Sequence, residues 1–292
     1  MSVADNFKEF CNSLLVGSSL RSTISTRYIS ICKRLNKDFW EVDTTSGGRY
    51  VGSYGRNTAN SWVSDIDMVF EMPLSVYYKY DKYLTNGQSA LLQAVKNAIT
   101  TTYPNTILKG DGQIVQVQFS DNMRIEVLPV FKNSDGSYKF ADSNGGGSWK
   151  NTNPVPEIDL IKVGEILTNY NLRHLCRMTR SWKYYCSVPI KGILIDTLAY
   201  RFLTKWEYRD KSYLYYDWMS RDYFSFLKDQ TKNQTQWYAL GSGQLILNGS
   251  DFRYKAKQAY NKCLEAISLE SNGKTWSAKQ KWRQIYGYRY PD

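Results

Sequence analysis

The sequence predicts an α/β chain of the α+β type, with a mixed sheet and its helices in residues 1–150 and a second, helical lobe in residues 151–292. Three observations carry that expectation. Asp65-Ile66-Asp67-Met68-Val69-Phe70 and the runs 113–119 and 123–131 read as strands, the last two alternating with the period of two that buries one strand face. From Leu160 onward apolar residues recur every three or four positions, giving helical patterns over 160–170, 172–186, 190–206, 217–228 and 252–268. Between these halves, 133–156 turns to Gly, Ser, Asn and Asp around Asn144-Gly145-Gly146-Gly147-Ser148, and reads as a lobe boundary.

In order along the chain, 21–40 places Ile24, Tyr28, Ile31 and Leu35 on one stripe, as an amphipathic helix does. Ser46-Gly47-Gly48 breaks it, and Arg49-Tyr50-Val51 leads as a strand into Gly52-Ser53-Tyr54-Gly55-Arg56-Asn57-Thr58. A second helix over 88–102 repeats Leu91, Leu92, Val95 and Ile99 and stops at Tyr103-Pro104. The runs 113–119 and 123–131 flank Ser120-Asp121-Asn122, a tight turn, and so form a β-hairpin. The first half therefore reads helix, strand, turn, strand, helix, hairpin.

The chemistry concentrates in three places. A Gly-Ser turn brings backbone N–H groups and a hydroxyl against phosphate oxygens, so Gly52 and Ser53 are candidate phosphate contacts; Arg56 either touches phosphate or fixes the loop. Asp65 and Asp67, one residue apart on a strand, point to the same side. Glu126 lies inside the Ile125-Glu126-Val127-Leu128 run and shares a face with Arg124 and Leu128. A carboxylate there is costly to bury without positive charge, and a metal ion shared with Asp65 and Asp67 would supply it; an outward-facing strand Glu is the plainer alternative. Carboxylates are the hard ligands Mg²⁺ takes, and two metals flanking an in-line displacement stabilise its attacking and leaving oxygens. That is the chemistry of nucleotidyl transfer.

The order Gly-Ser-X-X-Arg-X-Thr from Gly52, Ser-Asp-Ile-Asp-Met-Val-Phe from Ser64 and Ile-Glu-Val-Leu-Pro-Val-Phe from Ile125 resembles the DNA polymerase β-type nucleotidyltransferase superfamily. More narrowly, it resembles the bacterial cGAS/DncV-like nucleotidyltransferases, the second-messenger synthases of antiphage CBASS systems. The resemblance covers nearly the whole chain and implies a polymerase β-like core, with a helical second lobe like that of oligoadenylate synthetase. The helix over 21–40 would be the spine of that fold. It further implies Asp65, Asp67 and Glu126 as the ligands of two Mg²⁺ ions, with Mn²⁺ able to substitute. In that family the third acidic residue is commonly Asp, and Glu also occurs.

In the helical half, Leu172, Leu175, Thr179, Trp182 and Cys186 form an apolar stripe beside a basic flank of Arg173, Arg177, Arg180 and Lys183. A solvated basic face is one reading of that flank. The resemblance implies another for Lys183: with Trp182 it matches a Trp-Lys pair whose lysine holds the donor triphosphate. Gly192 and Ile193 stand where the family has a serine and an aromatic ring, so this chain departs from the family there. Asp217–Asp222 and Gly241–Gln244 are assigned no chemistry.

Composition agrees with a soluble enzyme of the cytoplasm. The 292 residues are 42% hydrophobic, enough for a sizeable core or two lobes. Mean hydropathy is −0.51, no long apolar run suggests a membrane span, and the first residues lack the pattern of a signal peptide. Five scattered cysteines, without a Cys-X-X-Cys pair, read as reduced thiols packed in helices. The single histidine, His174, excludes a histidine-built metal site or dyad. A net charge of +11 favours polyanions without choosing among nucleotides, nucleic acid and acidic partners. Most of the 24 tyrosines belong to packing.

The expected function is therefore synthesis of a cyclic di- or trinucleotide from NTPs, ATP and GTP foremost, without any need for nucleic acid, the product being sensed by a downstream effector. Cyclisation and the CBASS role come from the resemblance alone. An RNA- or tRNA-modifying nucleotidyltransferase would use the same carboxylates, and a non-enzymatic nucleic-acid-binding protein on the same scaffold would use the basic charge; labelled products separate the three.

Overall fold

The computed structural model describes residues 2–292, which separate into two compact units. One comprises Val16–Arg56 and Trp62–Val155; the other comprises the chain up to Leu15, Asn57–Ser61 and Pro156–Asp292. In chain order the elements are α1 (Val3–Ser13), α2 (Ser18–Leu35) with a π-helical turn (Asn36–Trp40), β1 (Gly48–Tyr50), the single turn α3 (Gly52–Gly55), β2 (Asp65–Glu71), α4 (Leu74–Asp81), α5 (Gly87–Thr102), β3 (Ile107–Asp111), β4 (Ile114–Gln118), β5 (Arg124–Lys132), β6 (Tyr138–Asp142) and β7 (Ser148–Thr152). They are followed by α6 (Val155–Leu167), α7 (Asn171–Tyr185), α8 (Gly192–Leu203), α9 (Tyr216–Lys228), β8 (Gln236–Tyr238), β9 (Leu245–Leu247), α10 (Arg253–Ser271) and α11 (Thr275–Tyr286).

The sheet unit is mixed, as the sequence predicts. Strand β5 is its centre: β2 runs parallel to it, β4 antiparallel on its other side, and β6 pairs with its C-terminal part. Strand parity decides the two faces. Ile66, Met68 and Phe70 of β2, with Ile125, Val127 and Phe131 of β5, are buried against Ile24, Ile31 and Leu35 of α2 and Leu91, Val95 and Ile99 of α5. Each such side chain contributes about 1.5–3 kcal/mol by leaving water, which sets the register firmly. Val69, Val130, Tyr138 and Phe140 form a smaller cluster, with Leu128 and Val51 against it. Asp65, Asp67 and Glu126 share the parity of Val69 and Val130, and so lie on that second face.

Two expectations change. The Gly-, Ser- and Asn-rich stretch 133–156 carries two strands of the sheet, β6 and β7, and Asn133–Gly136 is the turn of the β5–β6 hairpin, where the Asn133 N–H donates to Ser137 O at 2.8 Å. Burial of Tyr138, Phe140 and Ala141 outweighs the turn-rich composition around them. The helix over 21–40 starts at Ser18 and ends in a π turn, because the buried Asn36 amide donates to Cys32 O (3.0 Å), Thr44 O (3.1 Å) and Ser46 O (2.8 Å). Helices α1, α4 and α11, strand β3 and the β8–β9 hairpin go beyond the elements the sequence predicts.

The helical unit closes on aromatic side chains. Phe7 of α1 meets Trp282 of α11 and Tyr290 edge-on at centroid separations of 5.1 and 5.3 Å, and Phe10 lies 4.9 Å from Tyr286. All five rings are almost fully buried, which holds the first helix in this unit. The basic flank of α7 is not a solvated face. Arg177 is buried and donates to Asn57 O (2.6 Å), Asn57 Oδ1 (3.1 Å) and Ala59 O (3.2 Å), while the partly buried Arg180 pairs with the buried Asp196 at 2.6 Å. Arg173 pairs with Glu165 at 3.7 Å. Among the described residues, no helix is long and apolar enough to cross a membrane.

Candidate active site

The Gly-Ser turn and the Asp-X-Asp strand meet at one atom. β1 pairs with β2, and the Val51 N–H donates to Asp67 O at 2.9 Å, so the chain enters α3 directly beside the Asp67 side chain. Gly52 adopts φ +59°, and a Cβ there would overlap Asp67 Oδ2 and stand 2.7 Å from Cγ. Only glycine satisfies both the left-handed backbone and the close approach. The Arg56 N–H donates to Gly52 O at 3.1 Å and closes the turn. Arg56 itself is 5% exposed, and its charge acts on Asp67.

Parallel pairing of β2 with β5 places Asp67 directly opposite Glu126 and Asp65 opposite Arg124. Three carboxylates and one guanidinium thus share one end of one sheet face. Burial raises the Asp67 carboxyl to about 6; the charges of Glu126 and Asp65 push the same way, and Arg56 and Arg124 oppose them. Arg124 Nη2 pairs with Asp65 Oδ1 at 2.9 Å, and its Nε lies 3.2 Å from Glu126 Oε1 without hydrogen-bond geometry. Gln116, opposite Glu126 on β4, reaches the same Oε1 at 3.4 Å.

These residues suit a divalent cation in ligand type, being hard oxygen donors, and in charge, since three carboxylates lie on one sheet face. In the arrangement observed, no group of three His, Cys, Asp or Glu side chains among the described residues is gathered to hold a metal ion. The guanidinium of Arg124 bridges Asp65 and Glu126 instead.

The structure brings Gly52, Ser53, Arg56, Asp65, Asp67 and Glu126 into the sheet unit, the first three around the turn and the last three on the strand face. Lys183 belongs to the helical unit, on α7; burial and the Arg180 charge lower its pKa. At the family's serine position, Gly192 begins α8 and its carbonyl accepts from Arg180 Nη2 at 3.2 Å. His174 is structural: burial drops its pKa to about 4 and Tyr213 lies 3.4 Å away. All five cysteines are free thiols, and four are buried. Arg124 is the residue whose part in the site the sequence left unassigned, although its shared parity with Glu126 was the available signal.

A mixed sheet that sets a glycine turn against an Asp-X-Asp strand and a third carboxylate defines a nucleotidyltransferase fold. The chain belongs to the family of the Second Messenger Oligonucleotide or Dinucleotide Synthetase (SMODS) domain, whose model matches residues 1–163, and it is a nucleotidyltransferase of the cGAS/DncV-like kind. The structure is similar to that of E. coli MS115-1 CdnC with ATP, at TM-score 0.68 and 15% identity over 99% of each chain. It is similar to Bradyrhizobium diazoefficiens CdnG in complex with GTP, at TM-score 0.66 and 10% identity, covering 99% of this chain and 97% of that one. Vibrio cholerae DncV cyclic AMP-GMP synthase, in complex with the linear intermediate 5′ pppA(3′,5′)pG, matches at TM-score 0.64 and 14% identity over 99% of this chain and 87% of its own. No curated protein matches the chain by sequence.

Proposed function

We propose that the chain makes a cyclic di- or trinucleotide second messenger from NTPs, in the cytoplasm, as the signal of a CBASS antiphage system read by a downstream effector. The observation that carries this reading is the meeting of Gly52, Asp67 and Glu126, a glycine turn against paired carboxylates. Family membership supports a cyclic oligonucleotide as the product. The ATP and GTP named with the similar CdnC and CdnG structures support NTPs as substrates, ATP and GTP foremost, and the DncV intermediate supports two successive transfers at one site.

Asp65, Asp67 and Glu126 would hold two Mg²⁺ ions, with Mn²⁺ as substitute; nucleotidyltransferases of this kind generally use divalent metals. Such ions supply Lewis-acid activation of the attacking ribose hydroxyl and neutralise the leaving pyrophosphate. Gly52 and Ser53 seat the donor triphosphate through backbone N–H groups and the hydroxyl. Arg56, buried beside the turn, orients it and adds positive charge near Asp67. Lys183, on α7 of the helical unit, is the further candidate phosphate contact, and burial with the neighbouring Arg180 charge lowers its pKa. Nucleic acid is not required.

Nuclease-treated protein, given pairs of NTPs with Mg²⁺ or Mn²⁺, should yield a cyclic oligonucleotide identified by mass. Asp65→Asn with Asp67→Asn should abolish it and leave the fold intact, because the raised Asp67 carboxyl is a burden to folding rather than a support. Label transferred to RNA or protein, or strict dependence on added nucleic acid, would overturn the reading; so would near wild-type turnover in the double variant.

A further inference from the structure

Arg124 holds the place in which positive charge is needed. Its guanidinium bridges Asp65 (2.9 Å) and Glu126 (3.2 Å), the carboxylates that flank Asp67 along the strand and across the sheet. The arrangement is fixed by register: Arg124 and Asp65 are paired residues of parallel strands, and Arg124 and Glu126 are two apart on β5. The side chain is one-third exposed, so it can leave toward solvent without disturbing the buried core beneath. Arg56, the other cation acting on this face, is buried in the turn and has no such freedom.

A guanidinium and a divalent ion repel each other and compete for the same oxygens. In the observed arrangement Arg124 reaches two of the three carboxylates of this face, Asp65 and Glu126. We propose that Arg124 is a resident counter-cation of the carboxylate face, exchanged for the divalent ion when that ion binds. It is a positioning residue: it keeps the carboxylates of β2 and β5 together in the absence of metal and sets how tightly metal is bound. No bond is made or broken in the exchange; one ion contact replaces another. The proposal rests on the reading of these carboxylates as metal ligands.

Mn²⁺ binding without nucleotide, measured by electron paramagnetic resonance at low ionic strength, tests it on the full chain. Arg124→Gln should bind Mn²⁺ on the order of tenfold more tightly than wild type, the worth of one unit charge beside a divalent ion under water-like screening. Arg124→Lys, which keeps the charge, should stay within about threefold of wild type by the same reckoning. In chelator, Arg124→Gln should melt below wild type, and Mn²⁺ should narrow that gap. Unchanged or weaker binding in Arg124→Gln, or equal tightening in Arg124→Lys, overturns the inference. The functional reading fails separately: Mn²⁺ binding that survives Asp65→Asn with Asp67→Asn in the Arg124→Gln background, or no binding in any variant, removes the carboxylates as metal ligands and the inference with them.

Discussion

Gly52 combines a backbone at φ +59° with a separation from Asp67 that leaves no room for a Cβ. Gly145 has nearly the same backbone, φ +60°, but open space around it, so the two positions separate strain from collision. Alanine at either site costs about 1–2 kcal/mol for the left-handed conformation. At Gly52 it must also displace the Asp67 carboxylate, and a displacement of about 1 Å at a reacting centre is worth on the order of a hundredfold in rate. Gly52→Ala should therefore lose most turnover with a modest drop in melting temperature, whereas Gly145→Ala should show the drop alone. Equal turnover in the two variants would separate the glycine turn from the chemistry. The motif at 52–67 was legible in sequence; the contact between Gly52 and Asp67 was not, since it arises only when β1 pairs with β2.

Helices α10 and α11 carry a titrating contact that no motif announces. Trp282 Nε1 donates to Glu270 Oε1 at 3.1 Å, and burial raises the Glu270 carboxyl from 4.5 to about 7, with Asp217 adding to the rise and the Trp282 bond opposing it. A carboxyl raised on folding holds its proton longer in the native state. Its contribution is complete below the unfolded value of about 4.5 and is lost as pH climbs through about 7. Partial solvent exposure screens the effect, so the loss between pH 4.5 and 8 should be about 1–2 kcal/mol rather than the full conversion of the shift. Glu270→Gln keeps an acceptor for Trp282 and should flatten that part of the profile in urea melts across the range; parallel profiles for the two proteins would remove Glu270 as the cause. Periodicity found α10 because its apolar stripe is long. It passed over α11, whose buried residues Trp282, Ile285 and Tyr286 lie in a short, strongly basic run.

The whole chain crosses between its two units more often than a simple two-lobe division requires. Asn57–Ser61 belongs to the helical unit, although Arg56 before it and Trp62 after it belong to the sheet unit. The strap is held by Arg177, by Asn60 Nδ2 donating to Arg177 O at 3.2 Å, and by Thr58 Oγ1 donating to Asp196 at 2.9 Å. Arg177→Met would leave the carbonyls of Asn57 and Ala59 without their donor in a buried setting, at a cost of about 2–4 kcal/mol. The denaturation midpoint of the helical unit should fall accordingly, and proteolysis within 57–61 should quicken. A midpoint unchanged from wild type would show that the strap does not depend on Arg177.

By itself the sequence determined the strand and helix periods, the glycine turn, the carboxylates on one face of β2 and of β5, and thereby the class of chemistry; these are local patterns, set by residues within a few positions of one another. Tertiary structure alone decided which carboxylates face each other, because the Asp67–Glu126 register depends on two strands 59 positions apart in the chain pairing in parallel. The same holds for the basic stripe of α7. Arginines at helical spacing look alike in sequence, yet Arg177 is buried on a strap distant in the chain and Arg180 is held on the buried Asp196. Arg124 is the sharpest case: its face was readable from strand parity, but its position between Asp65 and Glu126 exists only once β2 lies beside β5.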